Sequence, residues 1–253
     1  MPNNSIAGPR ILSIDIETSP VVAHAWTLFK TSIGVNQIIE HPRTICFAAK
    51  FLNERKVHFY SEHEHGPEVM FHAAHTLISE ADIVMHYNGD GFDLPRLNSE
   101  FLLAGLDPPA PYQSIDLLKI MRKNFGFPSN KLAYITERLG LEGKIKHSGH
   151  DLWIRCLAGD PKAWAEMRRY NIRDVKLLED LYEKVRPWIK NHPHVGLYTG
   201  DPDCCPNCGS ADLVRQGYAL TAMGRFQRHQ CRDCGTWSRS SRRETGVGNT
   251  QTK

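Results

Sequence analysis

"ILSIDIETSP" (residues 11–20) is an apolar run that places two acids among its isoleucines. As a strand, its side chains alternate between faces. Leu12, Ile14 and Ile16 then point one way, and Ile11, Ser13, Asp15 and Glu17 the other. Two carboxylates on one face repel each other. The pair becomes sensible when something positive, such as a metal ion, sits between them.

The chain has 253 residues, 41% of them hydrophobic, with a net charge of +3. That length suits one large domain, or a medium domain plus a small one. No apolar run approaches the roughly 20 residues of a membrane helix. The opening "MPNNSIAGPR" lacks the basic and apolar segments of a secretory signal, so the expectation is an intracellular, cytoplasmic protein without membrane association. Charge is segregated. From Cys205 onward the chain carries +5, leaving −2 for the rest. A basic segment appended to an acidic body suggests a nucleic-acid-facing tail, although a merely soluble basic tail has the same composition.

Periodicity predicts strands over 10–17, 23–29, 44–51 and 56–60, the early ones forming an antiparallel meander. Helical spacing follows over 67–81, a short strand over 82–88, and helices over 93–105, 114–124, 130–139 and 161–186. Asp93 can serve as an N-cap there, with Pro95 in the first turn and Gly105 closing the helix. Strands first and helices later fit an α/β fold with a mixed sheet flanked by helices. The expected division is a catalytic-size domain over 8–190, a linker over 191–203, a small cysteine-bearing module over 204–240 and a disordered tail over 241–253.

On the late helix, residues 163, 167, 170, 174, 178, 181 and 185 trace one face. Six of them suit a core. Asp174 does not, because burying an unpaired carboxylate is costly. Tyr170 lies one turn before it, so a hydroxyl and a carboxylate point together toward the interior or a cleft floor. Pairing of Asp174 with an arginine is the alternative. In "HYNGDGFDLP" (86–95) a strand ends and a helix begins, and both Asp90 and Asp93 occupy that junction. Asp15, Glu17, Asp93 and Asp174 together form a hard oxygen donor set that suits Mg²⁺ or Mn²⁺. Two such ions can activate water and stabilise the leaving oxygen of a phosphodiester.

"DIE", "YNGDGFD" and "YNIRD", in that order, resemble the three motifs of the DEDD superfamily of 3′→5′ exonucleases. Tyr170 stands four residues before Asp174, as in the tyrosine subclass. The histidine subclass requires His at the position held by Arg169. The resemblance covers residues 8–190 and extends through "PSNKLAYITERLGLEGK" (128–144) to stand-alone phage and bacterial members. It implies a ribonuclease H-like fold and metal-dependent hydrolysis of DNA or RNA from a free 3′ end, in a bacterial or phage-infected cell. It selects Asp93 over Asp90. It also implies that Asp15, Glu17, Asp93 and Asp174 hold two Mg²⁺ or Mn²⁺ ions while Tyr170 orients the attacking water. Asn88 contacts substrate or shapes the turn. Phe92 wedges against a base or packs, with packing favoured. Lys131 meets a phosphate or is solvated. Asp116 is read as a helix-start or salt-bridge residue.

Five of the seven cysteines lie between residues 204 and 234, whereas Cys46 and Cys156 read as core thiols. "CPNCG" (205–209) and "CRDCG" (231–235) are two metal knuckles and resemble a zinc ribbon. Cys205, Cys208, Cys231 and Cys234 are the expected ligands of one structural Zn²⁺, with Cys204 able to replace Cys205 in another register. The intervening segment reads as a hairpin turning near Met223-Gly224. Arg225, Phe226, Arg228, Arg232, Trp237 and Arg239 interleave cations and aromatics, a pattern that grips phosphates and stacks bases. Docking to a polymerase or another replication or repair protein is the rival use. Two other functions stay open on sequence: a non-catalytic nucleic-acid adaptor on a nuclease scaffold, and a structure-specific endonuclease.

Overall fold

The structure is a computed structural model and describes residues 8–29, 32–141 and 149–248. The chain divides into two compact units, Arg10–Leu181 and a second that joins Tyr182–Lys253 with Met1–Pro9.

The larger unit is built on a mixed sheet. Its strands are β1 (Ile11–Thr18), β4 (Thr44–Phe51), β5 (His58–Ser61), β6 (Ile83–His86) and β7 (Gln113–Asp116); β2 (Val22–Ala23) and β3 (Ile38–Glu40) pair separately. The order is β5-β4-β1-β6-β7. The β1–β4 and β4–β5 pairs are antiparallel, and β1–β6 and β6–β7 are parallel. This is the expected mixed sheet flanked by helices. The run 23–29 does not join it: Trp26, Leu28 and Phe29 are exposed. β7 is hidden from sequence patterning because four residues carry too little period to separate them from the helix that follows.

The helices are α1 (Glu62–His65), α2 (Pro67–Ser79), α3 (Asp93–Leu103), α4 (Leu117–Asn124), α5 (Leu132–Arg138), α6 (His150–Leu157) and the long α7 (Pro161–Val185). None of the described helices is long and apolar enough to cross a membrane. On one sheet face Leu12, Ile14 and Ile16 pack with Phe47 and Phe51 against Met70, Phe71 and Ile78 of α2 and Leu97 and Phe101 of α3. Each such side chain contributes about 1.5–3 kcal/mol when fully buried. On the other face Cys46 and Ala48 pack with Leu152 and Cys156 of α6 and Ala163, Trp164, Met167 and Tyr170 of α7. Asp15 lies opposite Ala48 and Glu17 opposite Cys46. Residues paired across an antiparallel ladder share a face, so both acids face the α7 side. All seven residues of the periodic α7 stripe are buried.

The smaller unit contains α8 (Val195–Thr199) and a three-stranded antiparallel sheet of β8 (Leu213–Thr221), β9 (Gly224–Cys231) and β10 (Trp237–Gly246), in the order β10-β9-β8. Two sequence expectations change here. The stretch read as linker carries α8, buries His192 and Val195, and donates the Val195 N–H to the Pro206 carbonyl at 2.9 Å. The tail expected from residue 241 continues instead as β10 to Gly246, because its backbone pairs with β9 as far as Gly224.

Candidate active site

β1 supplies the first two acids. It stays regular through Glu17, and the β1–β4 register then shifts between Glu17 and Thr18. Irregularities of this kind re-aim side chains next to functional sites. Asp15 and Glu17 are both half-buried.

Asp93 reaches them from 77 residues away. Its Oδ1 accepts a hydrogen bond from the Ile16 N–H at 3.2 Å, so it is fixed to the backbone between the two β1 acids. Asp93 is not the N-cap of α3. Phe92 holds that position, and the Asp93 carboxylate is the first helical residue's side chain turned inward, 5% exposed. Burial pushes its pKa up to about 6, against the pull of the Ile16 N–H and its own N–H, and the nearby Asp116 charge adds to the rise.

α7 brings Tyr170 and Asp174, 8% and 2% exposed. Burial drives the Tyr170 pKa far up, as do the charges of Glu17, Asp174 and Asp15 and a hydrogen bond with Asp174. Tyr170 therefore stands in the field of three carboxylates from two elements and keeps its proton at neutral pH. Burial and the same Glu17 and Asp15 charges raise the Cys46 thiol beneath them. Asp15, Glu17, Tyr170 and Asp174 thus lie within electrostatic reach of one another, and Asp93 is joined to the same strand through the Ile16 N–H. An all-oxygen carboxylate set of this kind fits hard divalent cations.

Sequence reasoning missed Asn171. It is fully buried, and its Nδ2 donates to Asp15 Oδ2 at 2.7 Å and to the Asp15 carbonyl at 3.2 Å. Its signal was its position: four residues after buried Met167 and four before buried Val175, on a helix face that admits a polar group only with a partner.

The loop before Asp93 is tied down by its own network. Asn88 has φ 71° and donates its N–H to Asp116 Oδ1 at 2.9 Å. Asp116 also caps α4 through the Leu118 and Lys119 N–H groups. The Gly89 N–H donates to His86 Nδ1 at 2.9 Å, leaving Nε2 to carry the ring proton toward Ser114 and Asp90. A Cβ on Gly89 would lie 2.4 Å from the His86 ring. His86, Asp90 and Asp116 offer ligand atoms within 4.8 Å of one another. Asp90, however, already accepts from Lys119 Nζ and Ser114 Oγ, each at 2.6 Å. Burial also lowers the His86 pKa, so the ring is neutral. These contacts make the cluster a loop brace rather than an open cation site. Phe92 is 39% exposed with Arg96 over its ring at 5.9 Å, so the packing expected of it is not core packing. Lys131 is exposed at the start of α5.

In the smaller unit the Cys205 and Cys234 sulfurs are 3.6 Å apart, and those of Cys208 and Cys231 are 3.7 Å apart. All four lie within 4.8 Å of one another. A tetrahedral site with Zn–S near 2.3 Å has sulfur–sulfur edges of about 3.8 Å, whereas a disulfide needs about 2.05 Å. The four thiols therefore fit zinc. Gly209 and Gly235, which follow the knuckles, have φ of 79° and 80°, the left-handed turn that glycine allows. Cys204 Sγ contacts the Cys205 carbonyl at 3.6 Å instead of joining the cluster.

No curated protein matches the sequence. Among solved structures the chain resembles that of the family B DNA polymerase from the hyperthermophilic archaeon Pyrobaculum calidifontis, with a TM-score of 0.54 and 16% identity. The match covers 85% of this chain and 31% of the polymerase, and at that identity it speaks for the fold alone. A family model described as RNase_H superfamily matches residues 12–186, a span that contains all five clustered residues. The chain belongs to the RNase_H superfamily.

Proposed function

We propose that the protein is a metal-dependent 3′→5′ exonuclease of the tyrosine subclass, acting on DNA or RNA. The single observation that carries this reading is the convergence of Asp15, Glu17, Asp93, Tyr170 and Asp174 from β1, α3 and α7. Asp15, Glu17, Asp93 and Asp174 would hold two Mg²⁺ or Mn²⁺ ions. Bound there, the ions supply a nucleophilic water and charge stabilisation at the scissile phosphate.

The chain's own groups do the rest. Asn171 holds the Asp15 carboxylate in one orientation through its amide. Tyr170 keeps its proton and serves as a hydrogen-bonding group that aims the attacking water, since its raised pKa removes it as a base. The bound Ile16 N–H fixes Asp93 without neutralising it. In the smaller unit, Cys205, Cys208, Cys231 and Cys234 would hold a structural Zn²⁺ in a ribbon that aids nucleic-acid binding.

The test is a product ladder. Purified protein with Mg²⁺ or Mn²⁺ should shorten 5′-labelled DNA or RNA oligonucleotides one nucleotide at a time and leave a circular single strand intact. Cutting of the circle would make the enzyme an endonuclease. Tight binding without hydrolysis under either metal would make the chain an adaptor.

A further inference from the structure

The three-stranded sheet of the smaller unit has two unequal faces. On β9, alternate residues share a face, so Phe226, Arg228 and Gln230 stand together. Their partners on β10 are Arg243, Arg239 and Trp237. One face therefore gathers Phe226, Arg228, Trp237, Arg239 and Arg243. Arg225 lies on the opposite face, where it pairs with Glu244 at 3.7 Å. Arg232, outside the ladder, approaches Asp212 at 4.0 Å.

On the first face Arg228 and Arg239 are directly opposed, an arrangement in which like charges repel. Each guanidinium lies instead over a ring: Arg228 over Trp237 at 4.7 Å and Arg239 over Phe226 at 4.0 Å. Arg228 Nε also donates to the Gln216 carbonyl at 3.0 Å. Arg243 Nη1 lies 3.5 Å from the Met223 carbonyl. Among the described residues, none of these three arginines forms a salt bridge, and all three and Trp237 are exposed. The face is a run of flat cations stacked on flat rings, with unpaired positive charge on top. Guanidinium edges suit phosphate oxygens, and guanidinium or aromatic planes suit nucleobases. Base planes are open only in an unpaired strand.

We propose that this face binds single-stranded nucleic acid, with phosphates on the guanidinium edges of Arg228, Arg239 and Arg243 and bases stacked on the exposed part of Trp237 and on the guanidinium planes that cover the rings. The proposal deepens the nuclease reading, on which it rests for the class of ligand. It removes Arg225 and Arg232 from the contact set and adds Arg243.

The test uses full-length protein and a 5′-fluorescein-labelled dT20 strand, with Ca²⁺ replacing Mg²⁺ and fluorescence anisotropy as the readout. Arg239→Ala combined with Arg243→Ala should weaken binding and reduce the slope of log K against log salt by about 1.4, that is, about 0.7 per lost phosphate contact. Trp237→Ala should weaken it about tenfold, and Trp237→Phe much less. Arg215→Ala, which removes one charge from the other face, should change affinity less than about twofold. Zinc content and circular dichroism check that each variant is folded. An unchanged salt slope in the double variant would overturn the proposal. So would equal loss from Arg215→Ala, or equal competition by a duplex of the same length. Retained affinity in the double variant would reassign the face to protein docking. Hydrolysis is measured separately on the same samples. Face-dependent binding without hydrolysis refutes the nuclease reading alone. Normal stepwise hydrolysis with face-independent binding refutes this proposal alone.

Discussion

Asp93 Oδ1 is hydrogen-bonded to the Ile16 N–H, so an acid that opens a helix is pinned to the strand carrying Asp15 and Glu17. Asn171 does the same from α7, tying its amide to Asp15 Oδ2 across 156 residues. Backbone and amide donors, not lysines, make these two connections.

Loss of a carboxylate should abolish turnover without unfolding the protein. Asp15→Ala and Asp174→Asn are each expected to fall below about 1% of the parent rate, since each removes a proposed ligand to the ions that would generate the nucleophile. Asp174→Asn should keep the parent's circular dichroism spectrum, because the amide is isosteric with the carboxylate. Substantial activity in both variants would remove the assignment.

Asn171→Ala leaves every proposed ligand in place and frees the Asp15 carboxylate to rotate. Removing a group that orients a metal ligand typically costs 10–100-fold in affinity or rate. The expected result is a drop of about that size, visible as weaker Mn²⁺ binding in electron paramagnetic resonance titrations. Unchanged Mn²⁺ affinity would show that Asn171 merely fills space.

Divalent metal binding should weaken in mild acid. The Asp93 pKa is raised by burial to about 6, so below that pH the carboxyl holds its proton and competes with the cation. Apparent affinity should fall about tenfold for each unit below 6. In the unfolded chain the group ionises near its ordinary value of 3.8, so without metal it reduces stability as pH rises from there toward 6. Added Mg²⁺ should reverse that loss. A pH-independent affinity between 5 and 7 would contradict the buried carboxyl.

Gly89→Ala tests the brace that aims Asp93. The added methyl meets the His86 ring at 2.4 Å, and the ring is fully buried and cannot swing away. Overpacking of this kind costs about 1–3 kcal/mol. Both the melting temperature and the rate should fall, and a neutral result would mean that the loop relaxes freely.

The zinc register can be read chemically. Cys205→Ser should lower zinc below one per chain by elemental analysis, whereas Cys204→Ser should leave it unchanged, since Cys204 Sγ turns to the Cys205 carbonyl. The reverse pattern would shift the knuckle by one residue.

By itself the sequence determined the elements and the chemistry of their residues. Alternation in "ILSIDIET" put Asp15 and Glu17 on one face, the three-and-four spacing of α7 buried Tyr170 with Asp174, and the paired knuckles marked four thiols. These are local periodicities, and local spacing dictates direction. Tertiary structure decided what no spacing encodes. It placed Asp93 on the Ile16 N–H rather than on its own helix cap and gave Asp15 the Asn171 amide. It joined β7 to the sheet and sorted the arginines of the three-stranded sheet by face through strand register. Each of these depends on groups far apart in the chain, where a donor's choice of acceptor is set by which elements pack together.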